Sequence, residues 1–205
     1  TPFYPKLFKE IEAYRHLLIV NHVYNDKIVK SAIYLDQQGA TKHYVIVPLG
    51  DEKNYFDVAS VNELYNDISE SLFLERIKYF SSAVAAYSHQ TLPAILLLHD
   101  WHAALVSKLL ADVHKNTIVK SVFIVHVANI DCGRFASDKL QGIGLKFSEK
   151  FQLLKAIGLK SAHKVIAVSP SFLDECLNLK STNSAVDAIR RIFVWLSINN
   201  PGKLM

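Results

Sequence analysis

The 205-residue sequence predicts an α/β fold: a Rossmann-like, doubly wound, mostly parallel sheet preceded by a β-meander. Three observations carry that reading. The runs AILLL (94–98), KSVFIV (120–125) and KVIAV (164–168) are continuously apolar, as strands covered on both faces must be. Helical patterns alternate with them, at 102–114, 148–161 and 170–179. Upstream, HLLIVNHV (16–23), KIVKSAIYL (27–35) and HYVIVPL (43–49) are rich in β-branched and aromatic residues and are separated by Asn25-Asp26 and Gln37-Gln38-Gly39.

The remaining elements follow in order. TPFYP (1–5) reads as a strand end and loop, because its two prolines restrict the backbone on either side, and residues 6–15 suit a short helix. From 50 to 69 the chain is polar and irregular. The segment 70–90 places Leu72, Phe73, Ile77, Phe80, Ala83 and Val84 at helical spacing. The last stretch, 189–205, reads as a strand followed by a tail.

Composition bounds the function. Half the residues are hydrophobic and a fifth are charged, which gives one buried core, either a single domain or one lobe of a larger enzyme, and excludes wholesale disorder. The net charge of +4 is spread over scattered lysines, so no nucleic acid is expected as a partner. No apolar run has the length of about 20 residues that a membrane span needs, and no signal peptide is visible, so neither a membrane nor secretion is expected. Cys132 and Cys176 lack CxxC partners and read as reduced thiols of a cytoplasmic protein. The chain begins at Thr1 rather than methionine, so upstream residues are expected.

Chemistry gathers where the strands end, the edge at which doubly wound sheets bind ligands. His99, Asp100, Trp101 and His102 follow the first parallel strand. As metal ligands, His99, Asp100 and His102 would straddle a strand-to-helix turn and diverge, with no zinc spacing to support them. Asp100 instead suits a helix N-cap that bonds two or three residues on, and Trp101 suits inward packing. His102, in the first helical turn, would be held neutral by the helix dipole and left able to hydrogen-bond. His126 ends the neighbouring strand, with Gly133 and Arg134 following; it is either a second wall of the same cleft or part of a polar loop. Ser169-Pro170 forms a standard helix start, whose N-terminus also suits a phosphate. No G-x-S-x-G, GxGxxG or GxxxxGK[ST] motif occurs, so a hydrolase serine, a dinucleotide fingerprint and a P-loop have no support.

Three segments together, ILLLHDWHAALVSKLL, KSVFIVHVANIDCGRF and LLKAIGLKSAHKVIAVSPSFLDE, resemble the N-terminal half of bacterial glycogen and starch synthases. The opening TPFYPKLF and the helix ERIKYFSSAVAAY match in position and type, so the resemblance covers roughly residues 1–178. It implies a single domain, 1–205, forming the N-terminal lobe of a GT-B glycosyltransferase of family 5, with 179–205 a divergent tail. The implied activity is retaining transfer of glucose from ADP-glucose to the non-reducing end of an α-1,4-glucan, with no metal or other cofactor. By the resemblance His102 is the catalytic residue contacting the transferred glucose, and His126 and Asp100 help to bind substrate.

The departures from the family pattern are specific. The KxGGL loop that normally precedes TPxYP is not present, nor are an NGID segment and a C-terminal nucleotide-binding lobe. Val127 stands for the family's asparagine, Cys132 for the QG glutamine, His163 for the AD aspartate, and Leu72 for the aspartate four residues before Arg76. Asp67 is the substitute for that last carboxylate if the loop carries an insertion. The chain by itself is therefore expected not to transfer glucose, and the alternative is a non-catalytic lobe that binds glucan or a protein. Self-association through an apolar surface that faces the partner lobe in the family is a further expectation.

Overall fold

A computed structural model describes residues 2, 4–5, 10–38, 40–58, 69–126, 134–178 and 184–205. The meander consists of β1 (Arg15–Tyr24), β2 (Lys27–Gln38) and β3 (Thr41–Pro48), antiparallel in that order. Asn25 and Asp26 both have positive φ, 48° and 57°, as the tight two-residue hairpin between β1 and β2 requires. The expected helix over 6–15 is not seen in its described part: only a 3-10 turn, Ile11–Ala13, precedes β1. So short a helix cannot offset its nucleation cost beside a strand with many partners.

Helix α1 (Glu70–Thr91) starts at Ser69, whose hydroxyl accepts the Leu72 N–H at 3.2 Å, and ends at Leu92 in the left-handed conformation just before Pro93. Beyond the large buried residues Leu74, Ile77 and Tyr79, its buried face is small: Ser81, Ser82, Ala83, Ala85 and Ala86 let it lie close on the meander. There Ala83 packs with Val20, Ile33 and Ile46, and Ser82 Oγ donates to the Val23 carbonyl at 2.7 Å.

The second sheet is parallel, in the order β4 (Ile95–His99), β5 (Lys120–Val125), β8 (Lys164–Ala167). Helices α2 (Ala104–Asp112), α3 (Leu154–Ser161), α4 (Pro170–Asn178) and α5 (Ser184–Asn199) complete the main core, with Phe123, Leu105, Leu109, Leu154 and Phe193 essentially inaccessible. Gly158 is required here, because a Cβ at that position would lie 2.4 Å from the ring of Phe123 on β5. Leu98 on β4 is buried in this core, whereas Ile95 and Leu97, on the other face, are 61 % and 55 % exposed.

Two further expectations are corrected. The helix predicted over 148–161 begins only at Leu154, because Phe151–Leu153 forms β7 and pairs with β6 (Arg134–Ala136) as an antiparallel ribbon. Residues 189–199 are helical rather than a strand. Val186, Ile189, Phe193 and Leu196 repeat every three or four residues and all are buried, so helical burial overrides the β-branched and aromatic composition of IFVW. After α5 the chain returns to the parallel sheet. The Met205 N–H donates to Val165 O at 2.8 Å and the Ala167 N–H to Met205 O at 3.1 Å, extending the sheet beyond β8.

Candidate functional site

The site is built at the carboxyl ends of β4 and β5. The Asp100 N–H continues the ladder by donating to Ile124 O at 2.8 Å, and the chain then turns sharply at Asp100, with φ +53° and ψ −168°. This backbone region is nearly exclusive to glycine and costs a side-chain-bearing residue about 1–3 kcal/mol, so the surroundings must hold it. They do so through the carboxylate. Oδ1 accepts the Trp101 N–H at 2.8 Å, Oδ2 accepts the His126 N–H at 3.3 Å, and Lys155 Nζ lies 3.3 Å from Oδ1. Asp100 and Lys155 are 8 % and 2 % exposed, so this is a buried ion pair tying α3 to the end of β4 and the start of the His126 loop. Asp100 thus bonds to the next residue and across to β5, not two or three residues on, and its two oxygens are committed to position.

Trp101–Ala103 form a 3-10 turn before α2. Trp101 is half-buried against Phe73 of α1, ring centroids 5.0 Å apart, and His102 stacks on the indole at 3.6 Å with the planes 27° apart. One imidazole face is therefore dry while an edge stays open to solvent. Burial is the main cause that lowers the His102 pKa; Asp100 opposes it and Lys155 reinforces it. His102 is neutral at physiological pH for this reason, and with one ring nitrogen a donor and the other an acceptor it can hydrogen-bond in both senses.

His99 and His126 meet at the mouth. His99 Nδ1 and His126 Nε2 are 2.9 Å apart, with the rings stacked at 5.1 Å, and both side chains are exposed. An imidazole–imidazole hydrogen bond needs one donor and one lone pair, so the two rings share a single proton at their contact. The three candidate metal ligands of the sequence point to separate partners: His99 to His126, Asp100 to backbone and Lys155, and His102 to Trp101. Among the described residues no group of three metal-ligating side chains converges. The result is a polar wall whose one carboxylate is neutralised internally, a surface suited to hydroxyl-rich neutral ligands.

The structure thus gathers His99, Asp100, His102 and His126 into one cluster. Asp67 lies outside the described residues, as do Val127, Cys132 and Gly133. Ser169 caps α4 through the Phe172 N–H at 3.1 Å. His163 sits at the opposite end of β8 from the cluster, where its Nδ1 accepts the Ser121 N–H at 3.2 Å. Arg76 donates through Nε to Tyr55 O and is 7 % exposed, anchoring α1 to the segment after the meander. Sequence reasoning missed Lys155. Its signal was a single lysine among Leu153, Leu154 and Ile157, on a helical face that is otherwise apolar.

The starch synthase catalytic domain family matches residues 1–191. The chain is 27 % identical over 209 residues to the glycogen synthase of Chlamydia abortus, covering 92 % of this chain and 40 % of that protein. It is 26 % identical over 165 residues to the glycogen synthase of Bacillus licheniformis, covering 70 % and 31 %. With the glycogen synthase of Pectobacterium atrosepticum it shares 36 % identity over 99 residues, covering 42 % and 19 %. The chain therefore spans well under half the length of these relatives. The catalytic domain of starch synthase IV from Arabidopsis thaliana, solved with ADP and acarbose, superimposes with a TM-score of 0.77 at 19 % identity, over 100 % of this chain and 42 % of that one. That likeness gives the fold as the GT-B α/β arrangement. With a family match running from the opening loop, through the Asp100 corner, into α5, the chain belongs to the starch synthase catalytic domain family.

Proposed function

We propose that the chain is the N-terminal catalytic lobe, 1–205, of a cytoplasmic glucosyltransferase that moves glucose from ADP-glucose to the non-reducing end of an α-1,4-glucan. The observation that carries this is the histidine cluster on the Asp100 corner, with His102 neutral beside the hydrogen-bonded His99–His126 pair. Transfer builds positive charge at the anomeric carbon and negative charge on the departing nucleotide. A neutral His102 can hold a sugar hydroxyl through both charge states without competing for the proton, and the His99–His126 pair offers a second polar wall toward the acceptor. The starch synthase IV relative, whose bound molecules are ADP and acarbose, supports a nucleotide and a glucan-like chain as the ligands. The buried free thiol of Cys176 fits a reducing compartment.

One departure from the family pattern lies away from the cluster: His163 is bonded at the far end of β8. Leu72, half-buried in the first turn of α1, supplies no carboxylate and favours the non-catalytic alternative. Titration with maltohexaose, followed by amide NMR, tests the reading. Binding should shift the His102 and His126 signals, and His102→Ala should weaken it about tenfold, the worth of one good hydrogen-bonding contact. The reading fails if about 10 mM maltohexaose, a concentration that captures even weak binding, moves neither signal.

A further inference from the structure

A groove of about 540 Å3 runs along the outer side of α3, between α2 and α5, under the β6–β7 ribbon. Neither Asp100 nor any cluster histidine, His99, His102 or His126, lines it. Five cationic residues line it, Lys108, Arg134, Lys146, Lys160 and Arg191, against one carboxylate residue, Glu149. The whole chain carries a net charge of only +4, so positive charge is concentrated here.

Two of the cations are held in a way that leaves donors available. Arg134 lies over the ring of Phe151 at 5.1 Å, with Lys150 also 5.6 Å from that ring, and Lys108 lies over Phe147 at 5.4 Å. Stacking on an aromatic face fixes a guanidinium or ammonium without using up its N–H groups, and so lowers the entropy lost on binding an anion. Among the described residues, Lys108 and Arg191 are the two of these with carboxylate partners, Asp112 at 2.7 Å and Asp187 at 2.6 Å. The ribbon that carries Arg134 is itself tied down, because Ser137 Oγ donates to the Glu149 carbonyl and the Ser137 N–H to Lys150 O at 3.0 Å. The floor is apolar, formed by Leu153, Ala156, Ile157 and Ile192. A cationic rim over an apolar floor, at the volume of an ordinary small-molecule site, matches a ligand with an anionic end and a compact body.

We propose that this groove binds a phosphate ester, with the phosphate held by Arg134, Lys146 and Lys160 and the body packed on Leu153 and Ile157. Planar, forked donors beside mobile ammonium groups are the chemistry that recognises phosphate oxygens. The site is independent of the glucosyl-transfer reading, since none of its residues belongs to the Asp100 corner.

Calorimetric titration of the full chain with inorganic phosphate, ribose 5-phosphate and AMP tests it. At least one ester should bind saturably and more tightly than inorganic phosphate, and binding should weaken as salt rises. The tighter of the two esters identifies the body as sugar or nucleobase. In Lys146→Glu/Lys160→Glu affinity should fall by about tenfold or more, because charge-assisted bonds are replaced by repulsion. Both lysines are exposed, so the double variant should melt like the parent; Arg134→Gln is the second variant should it not. His102→Ala must leave ester binding unchanged, which separates this site from the sugar-facing cluster. Three results would overturn the proposal: adenosine binding as tightly as AMP, neither ester exceeding inorganic phosphate, or the charge-reversed variant binding like the parent.

Discussion

Two of the buried polar networks among the described residues are built on opposite plans. Beneath the meander, His22 Nε2 lies 3.0 Å from Ser31 Oγ, Ser31 Oγ lies 2.8 Å from Tyr79 OH, and Tyr79 OH donates to Lys30 O at 3.2 Å. Followed back from that carbonyl, the donors run in one direction, so His22 gives its proton from Nε2 and Nδ1 keeps a lone pair. Among the described residues Nδ1 has no hydrogen-bond partner. Every member of this chain is neutral and sealed inside the core. At the Asp100 corner the buried members are instead charged, Asp100 and Lys155, and the groups they carry, His102 and His126, open to solvent. The first network specifies how α1 sits on the meander. The second spends a strained backbone and a desolvated ion pair on aiming histidines outward, an arrangement that stability alone does not call for.

The largest expected effect breaks the charged network. Lys155→Met leaves the Asp100 carboxylate buried without its counter-ion and should cost about 3–5 kcal/mol in urea unfolding. It should also shift the His126 amide resonance. Lys155→Arg should recover part of both. A cost below about 1 kcal/mol would make the pair a surface-like contact and erase the contrast.

The sealed network has a pH signature. Burial pushes the His22 pKa down from 6.5 to about 4. The folded protein keeps the ring neutral while the unfolded chain takes up a proton below pH 6.5, so stability is complete above 6.5 and falls as the pH drops toward 4. At about 1.4 kcal/mol per pH unit, the total loss is about 3 kcal/mol. Unfolding midpoints at pH 7 and pH 4.5, compared with those of His22→Phe, isolate this contribution from the carboxylates. An equal slope in both proteins would locate the proton elsewhere. Smallest of all should be the effect of His102→Ala on stability, within about 0.5 kcal/mol for a residue with an exposed edge. The same change should still weaken maltohexaose binding about tenfold. Should it unfold the protein instead, the two networks would no longer differ in purpose.

Much of the fold was legible because burial leaves a period in the sequence. The parallel strands are runs of apolar residues, and α1 begins at a serine and stops one residue short of Pro93. What misled was composition taken over too short a window. Phe193, Val194 and Trp195 look like a strand until Val186, Ile189 and Leu196 are counted with them. Phe151–Leu153 is only three residues long, and its pairing with Arg134–Ala136 is a tertiary fact with no local mark. At the site, the position of the cluster was readable from the strand ends, but its cause was not. Lys155 and Asp100 are distant in sequence, and neither their contact nor the positive φ of an aspartate is written in spacing.

The bare Cα of Gly158 governs more than packing. It sets the stand-off between α3 and β5, since a methyl group there would strike the Phe123 ring at 2.4 Å. Lys155 rides one turn earlier on that same helix, on the end nearest the corner. The helix acts as a short lever with its fulcrum at the glycine. A spacer of one carbon at the fulcrum would tilt or lift it and draw the ammonium away from Asp100. The aim of the outward histidines is therefore inherited from the absence of an atom in the core, at a position that touches neither of them.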